Sequence, residues 1–206
     1  MNKITSVLLT ALFGFSAMAN ALEQPNYAVV NVISEVDAIE VRKYDAYIVA
    51  EAMVPGPATE AGSQGFSILG GYIFGKNKGE RVIEMTAPVT QTNAPAKIAM
   101  TAPVTQAAVG TGFLAQFMMP RAYTLETLPE PIDARIRFRE VPAKRVIAIR
   151  FSGTSGQTRF NEHLTKLKES AAKAGLALNG EPTFSRYDSP FTLPFMRRNE
   201  VWIEVL

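Results

Sequence analysis

The most regular hydrophobic pattern of the chain lies at residues 58–75. Apolar residues recur there at helical spacing and form one stripe along a predicted helix: Phe66, Leu69, Ile73 and Phe74. Gly75 ends the stripe, and a polar turn with two lysines follows at 76–79. Two interpretations are open. The stripe packs on a sheet, or it holds a flat apolar ligand whose acid groups meet the lysines.

Most other segments alternate apolar and polar residues, which is typical of strands. The alternation predicts strands at 27–33, 39–44, 47–54, 84–91, 99–106, 113–119, 183–187 and 200–205. A second helical pattern at 158–174 ends at Gly175. Residues 84–91 and 99–106 read EMTAPVTQ and AMTAPVTQ, and we expect them to pair as an antiparallel hairpin.

The second half of the chain echoes the first. At a shift of 97 residues, IEVRKYDAYIV (39–49) aligns with IRFREVPAKRV (136–146) without a gap. We therefore expect an α+β fold, a distorted antiparallel β-barrel with two helices, built from two duplicated β-β-α-β-β halves at about 27–119 and 132–206. Because each half alone would expose one sheet face, the halves should share a core within one domain, 22–206.

Residues 1–21 have the pattern of a signal peptide: Lys3, an apolar core at 7–15 and a small-residue site ending at Ala21, with Ala19 as the alternative cleavage position. Export to the periplasm or secretion follows. Loss of Lys3 leaves 20 basic against 19 acidic residues, so no nucleic-acid partner is expected. No other stretch is long and apolar enough for stable membrane insertion.

The sequence contains no cysteine and one histidine, His163. Disulfides and thiolate catalysis are thereby excluded, and no cluster of metal ligands or Gly-rich phosphate loop is evident. We expect a protein that is not an enzyme. Near the C-terminus an apolar loop at 190–195 precedes Arg197 and Arg198. It either packs on the rim of the fold or covers a ligand whose carboxylates the arginines bind.

Several segments resemble the SOUL haem-binding protein family: GYIFGKNKG followed by MTAPV, then YTLETLP, REVPAKRVIAIRFSG, and the terminal RYDSPF and PFMRRNEVW. The resemblance runs from about Tyr27 to the C-terminus. It implies a distorted β-barrel with two helices. It also implies binding of haem, a metal-free porphyrin or another tetrapyrrole in a hydrophobic cleft between the first helix and the loop before the final strand.

The resemblance places that cleft on particular residues. The ligand-binding set is Phe66, Leu69, Gly70 and Ile73 on the helix, Phe191, Leu193 and Phe195 on the loop, and Lys76 and Arg197 beside the propionates. Gly71 stands where a well-studied type of member has a basic residue. The family has no common iron ligand, so the candidates here are His163, a methionine or a tyrosine such as Tyr72.

Two other functions remain open from the sequence. The first alternative is a binding module for another hydrophobic small molecule or a lipid, because the same architecture is similar to bacterial domains that bind hydrophobic cations. The second is an enzyme that acts on tetrapyrroles, for which the sequence offers no evident general acid.

Overall fold

A computed structural model describes residues 22–93, 112–188 and 191–206 as an α+β fold. The strands in these ranges are β1 (Tyr27–Ser34), β2 (Ile39–Tyr44), β3 (Tyr47–Pro55), β4 (Val89–Asn93), β5 (Gly112–Met118), β6 (Ile136–Val141), β7 (Lys144–Phe151), β8 (Leu178–Arg186) and β9 (Asn199–Val205). The helices are α1 (Ala58–Ile73) and α2 (Gln157–Lys173), with a short 3-10 turn at Pro194–Met196. Both helices lie where the 3.6-residue periodicity predicts them.

The nine strands form one antiparallel sheet in the order β1-β2-β7-β9-β8-β4-β5-β3-β6. β1 and β6 are its edges, so the sheet is open and the predicted barrel does not close through hydrogen bonds. After β1, the chain runs β-β-α-β-β twice, which is the predicted element order. β2 pairs with β7 and β6 pairs with β3, so the first strand of each half pairs with a strand of the other half. Duplication as the origin of this pattern stays a prediction.

Both helices pack on one face of the sheet, which we call the outer face. On α1, Leu69, Tyr72 and Ile73 are buried in a core with Ala50 and Phe117 of β3 and β5. Gly65 permits the close approach, because a Cβ there would lie 2.3 Å from the Cβ of Ala115. On α2 the buried side chains are Phe160, Leu167 and Ala171. Hydrophobic burial against the sheet therefore selects the two helical faces.

The predicted hairpin of 84–91 with 99–106 is wrong, because its first strand begins later and pairs with other strands. β4 begins only at Val89, after Pro88, which has no N–H to donate to a ladder. From Val89 to Thr92 its two edges pair with β5 and β8. Neither edge is left for a hairpin partner, and residues 99–106 lie outside the described part of the chain. The sequence repeat therefore did not indicate the pairing.

The other face of the sheet, the inner face, curves around a small chamber. Residues from six strands line it, including Tyr44, Tyr47, Met118, Lys144 and Trp202. The free space is about 20 Å³, which is room for about one water molecule. The inner face is therefore closed by its own side chains. Of the two helices, neither is long and apolar enough to cross a lipid bilayer, as far as the described residues go.

Candidate functional site

The predicted ligand residues of α1 fall into two groups. Leu69 and Ile73 are 0% and 1% exposed and belong to the core between α1 and the sheet. They offer no surface to a ligand, because helix–sheet packing uses their whole side chains. Phe66 is 37% exposed, and its ring also packs on the Phe117 ring at 5.6 Å between centroids. Only the edge of the predicted stripe is therefore available for binding.

This edge is a row of residues spaced by four on α1: Gly62, Phe66, Gly70 and, just past the helix, Phe74. We call it the aromatic flank. Phe74 is 60% exposed. A Cβ at Gly70 would lie 3.5 Å from Phe66 Cε1 and 3.8 Å from Phe74 Cε2, so this buried glycine lies between the two rings. Two partly exposed aromatic rings on either side of a glycine offer an apolar surface to the edge of a flat molecule.

The aromatic flank lies on the side of α1 that faces β4, β8 and α2. At its first position, a Cβ on Gly62 would lie 3.3 Å from Gln91 Oε1 of β4 and 3.7 Å from Arg186 Nη1 of β8. Arg186 in turn lies over the ring of Phe160 on α2, with 5.0 Å between its Cζ and the ring centroid. The flank therefore borders a region enclosed by both helices and the end of β8.

The loop between β8 and β9 carries the second predicted group, and its apolar side chains are exposed. The exposed fractions are 94% for Phe191, 55% for Leu193, 72% for Phe195 and 64% for Met196. We call residues 191–196 the apolar loop. Its base is anchored, because the Gly153 N–H donates to the Pro194 carbonyl at 2.9 Å. With these exposures, the apolar loop is not collapsed against α1.

The two predicted propionate cations lie in different parts of the structure. Arg197 Nε donates to the Thr192 carbonyl at 2.6 Å and so supports the turn of the apolar loop. Lys76 lies on the opposite flank of α1, because a Cβ on Gly71 would be 3.3 Å from Lys76 Cδ. The structure therefore does not place Lys76 beside the aromatic flank.

That opposite flank borders a second cleft of about 380 Å³. Ser67, Ile68, Gly71 and Lys76 line one side, and Ile132 and Arg135 line the other. Asp133 also borders it, and hydrogen bonds from Arg135 hold the pKa of Asp133 at about 2. This volume is within the usual range of small-molecule sites. Apart from Lys76, the ligand set inferred from the sequence does not include this cleft.

His163 lies on the flank of α2 that faces β7. Its ring stacks on Phe151 at 3.8 Å between centroids, and its Nδ1 donates to the Arg159 carbonyl at 2.8 Å. This bond leaves Nε2 as the ring atom with a free lone pair. However, α1 lies beyond β8, on the other side of α2 from His163. Tyr72 is buried and donates its hydroxyl to the Pro129 carbonyl. Neither candidate iron ligand faces the aromatic flank.

The RRNEVW motif forms a buried ion cluster. Glu200 of β9 is 0% exposed and accepts from Arg42 Nη1 at 2.6 Å and Nη2 at 3.0 Å. Arg198 Nη2 donates to the same carboxylate at 2.8 Å, and the Tyr187 hydroxyl also donates at 2.8 Å. Burial alone would raise the pKa of Glu200, but the two guanidinium groups outweigh it and hold this pKa below its ordinary value of 4.5. Glu200 is therefore an ionised structural group.

Because of this cluster, we expect the free energy of unfolding to fall at acid pH. The unfolded Glu200 carboxyl takes up its proton near 4.5, whereas the folded one keeps its charge to a lower pH. Its contribution is present above about pH 4.5 and is lost as the pH falls toward the folded pKa. We expect urea unfolding at several pH values to show this loss in the wild type and not in Glu200→Gln. Exposed Glu181→Gln is the control, and an unchanged acid slope in Glu200→Gln would contradict the assignment.

Comparison with known proteins decides the family. The sequence profile described as SOUL heme-binding protein matches residues 22–204. The chain belongs to the SOUL heme-binding protein family. It is 28% identical over 187 residues to Heme-binding protein 2 of Mus musculus, covering 89% of this chain and 86% of the mouse protein. It is also 28% identical over 191 residues to Heme-binding protein 2 of Homo sapiens, covering 91% and 88%.

Solved structures share the fold of this SOUL protein at low identity. The C-terminal domain of EcmrR superposes with a TM-score of 0.54 at 13% identity, covering 82% of this chain and 96% of that domain. A Listeria innocua protein described as a hydrolase superposes with a TM-score of 0.55 at 10% identity, covering 82% and 92%. At these identities the likeness shows the fold alone.

The ligand-binding set inferred from the sequence left out three residues of the candidate site in this SOUL protein: Gly62, Phe74 and Arg186. Phe74 was part of the predicted stripe, and spacing was the available signal for it and for Gly62, because they continue the Phe66–Gly70 row by one helical step in each direction. Arg186 begins the RYDSPF motif, but no local pattern connected it with α1, which it reaches through the pairing of β8 with β4.

Proposed function

We propose that this protein binds haem or a related tetrapyrrole without catalysing a reaction on it. The ligand would lie between the aromatic flank and the apolar loop. The observation that carries the proposal is the presence of two groups of exposed apolar side chains: the rings of Phe66 and Phe74 on either side of Gly70, and the side chains of residues 191–196. Apolar side chains exposed in such a group commonly mark a binding site. Membership of the SOUL family supports the same ligand class.

Burial of a porphyrin face on these surfaces would provide most of the affinity, at about 25 cal/mol for each Å² of apolar surface removed from water. The edge of the macrocycle would lie against the exposed phenyl rings on either side of Gly70. The apolar loop would cover the opposite face. No iron ligand is part of the proposal: His163 lies on the far flank of α2, Tyr72 is buried, and no contact assigns the exposed Met196 of the apolar loop to iron.

The absence of catalysis is also a proposal. A general acid needs a proton to give near neutral pH and a position beside the ligand. Glu200 meets neither requirement, because two arginines keep it ionised within the inner face. In the described ranges, no group of three or more His, Asp or Glu side chains has the spacing of a metal site.

The location in the periplasm or outside the cell rests on the signal-peptide pattern at 1–21, which is outside the described residues. The near-neutral charge of the chain after residue 21 supports a small-molecule partner rather than a nucleic acid.

Titration of the protein from residue 22 onward with haemin and with metal-free protoporphyrin IX tests the proposal. We expect saturable changes in the Soret band and quenching of the Trp202 fluorescence with both. Because no iron ligand is invoked, the two dissociation constants should agree within about tenfold, which corresponds to 1.4 kcal/mol. The absence of a saturable change with either porphyrin would remove the proposal.

A binding module for another hydrophobic small molecule or a lipid is the second candidate. The second cleft favours it, since about 380 Å³ on the opposite flank of α1 is open beside apolar Ile68 and Ile132. The porphyrin titration separates the two functions, because a protein that binds only other hydrophobic molecules would show no saturable change with either porphyrin.

A further inference from the structure

Arg186, the last residue of β8, holds its guanidinium where α1, α2 and the β7–α2 connection meet. Its Cζ is 5.0 Å from the centroid of the Phe160 ring on α2. Nη2 donates to the Ser155 carbonyl at 3.4 Å, and Nη1 donates to Gln91 Oε1 at 3.5 Å. Both bonds are at the long limit of hydrogen-bond geometry, and both acceptors are neutral. A guanidinium has five N–H donors, so its capacity here is largely unused.

The positive charge of Arg186 is not neutralised within the described chain. Arg42, Arg135 and Arg198 each form an ion pair with a carboxylate, but no Asp or Glu of the described residues lies within 4.0 Å of the Arg186 nitrogens. Burial without a carboxylate lowers the pKa of Arg186. A partly buried cation in this state gains most from an anion that makes charge-assisted hydrogen bonds.

Gly62 allows this guanidinium to lie directly beside the backbone of α1. A side chain at position 62 would begin 3.7 Å from Arg186 Nη1 and 3.9 Å from its Cζ. Gly62 is also the first position of the aromatic flank, one helical step before Phe66. Four helical residues rise about 6 Å, so the Arg186 guanidinium at Gly62 lies about one helical turn from Phe66 along α1.

We propose that Arg186 binds a carboxylate of the planar apolar ligand that occupies the aromatic flank. This inference rests on the proposed function and specifies its ligand: a flat macrocycle with a carboxylate on a short flexible arm. In this proposal Arg186 contacts the ligand carboxylate, which is the role that the family resemblance implies for Lys76 and Arg197. Lys76 lies on the other flank, and Arg197 supports the apolar loop.

The test compares protoporphyrin IX, which has two free carboxylates, with its dimethyl ester, which has none. Affinities are measured by Soret titration in one buffer for the wild type, Arg186→Gln, Arg186→Lys and, as a control, Arg137→Gln at an exposed site on β6. We expect the wild type to bind the free acid roughly tenfold to hundredfold more tightly than the ester, as charge-assisted hydrogen bonds allow.

Arg186→Gln should lose this preference by weakening the acid and leaving the ester within about twofold, and Arg186→Lys should keep part of it. Arg137→Gln should behave as the wild type. Equal wild-type affinities for acid and ester would overturn the role of Arg186 while the proposed function stands. Absence of binding of both porphyrins would overturn both. If Arg186→Gln does not fold, the wild-type comparison and Arg186→Lys decide the question.

Discussion

Replacement of Glu200 by alanine is expected to lower the free energy of unfolding by about 3–5 kcal/mol. The reason is the removal of one carboxylate from between two guanidinium groups. Arg42 is 1% exposed and would keep its charge in a buried site, with Glu40 as its remaining carboxylate partner. Urea or thermal unfolding followed by circular dichroism measures the loss.

Glu40→Ala is the matched control for this prediction. Glu40 also forms an ion pair with Arg42, at 2.6 Å to its Nε, but its side chain is 25% exposed. Its removal leaves Arg42 paired with Glu200, so we expect the free energy of unfolding to fall by about 1 kcal/mol or less. If Glu200→Ala costs no more than Glu40→Ala, the buried cluster does not have the structural role that its geometry indicates.

Replacement of Gly70 by leucine is expected to weaken porphyrin binding at least tenfold. The new side chain would extend between the Phe66 and Phe74 rings, whose atoms lie 3.5 and 3.8 Å from the position of its Cβ, and would displace them. Helix propensity favours leucine over glycine by up to about 1 kcal/mol, and displacement of the two rings opposes this gain, so we expect the free energy of unfolding to change by about 1 kcal/mol or less. Soret titration and thermal unfolding measure the two effects separately.

Gly71→Leu is the control, since it makes the same change at the next residue. Position 71 lies on the opposite flank, where the nearest atom is Lys76 Cδ at the flexible end of a side chain. We expect its porphyrin affinity to stay within about twofold of the wild type. Undiminished binding in Gly70→Leu would exclude the aromatic flank. Loss of binding only in Gly71→Leu would place the ligand in the second cleft.

The motifs that carry the family resemblance have structural roles in this protein. In RRNEVW, Glu200 and Arg198 belong to the buried cluster, and Trp202 Nε1 donates to Ser185 Oγ at 2.9 Å. In MTAPV, the buried Thr86 hydroxyl donates to the Met118 carbonyl. RRNEVW and MTAPV therefore stabilise the fold, whereas Phe74, Arg186 and Phe191, in the motifs GYIFGKNKG and RYDSPF, belong to the proposed ligand contacts.

The apolar stripe on α1 shows which features helical periodicity predicts and which it does not. Helical spacing predicted the helix and one apolar face, and hydrophobic burial made Leu69 and Ile73 its core. The same spacing did not separate the core from the neighbouring aromatic flank. That division depends on the exact rotation of the helix over β3 and β5, which packing against Ala115 and Phe117 decides.

By itself the sequence determined the family, the α+β class, the helices and most strand positions, because each is encoded in short-range periodicity or in contiguous motifs. The tertiary structure alone decided that the sheet is open, that β4 lies between β5 and β8, and that Arg186 meets Gly62 of α1. The pairing of β4 with β8 and the contact of Arg186 with Gly62 join residues more than 90 positions apart. Such contacts depend on strand order and register, and no local pattern of apolar and polar residues specifies either.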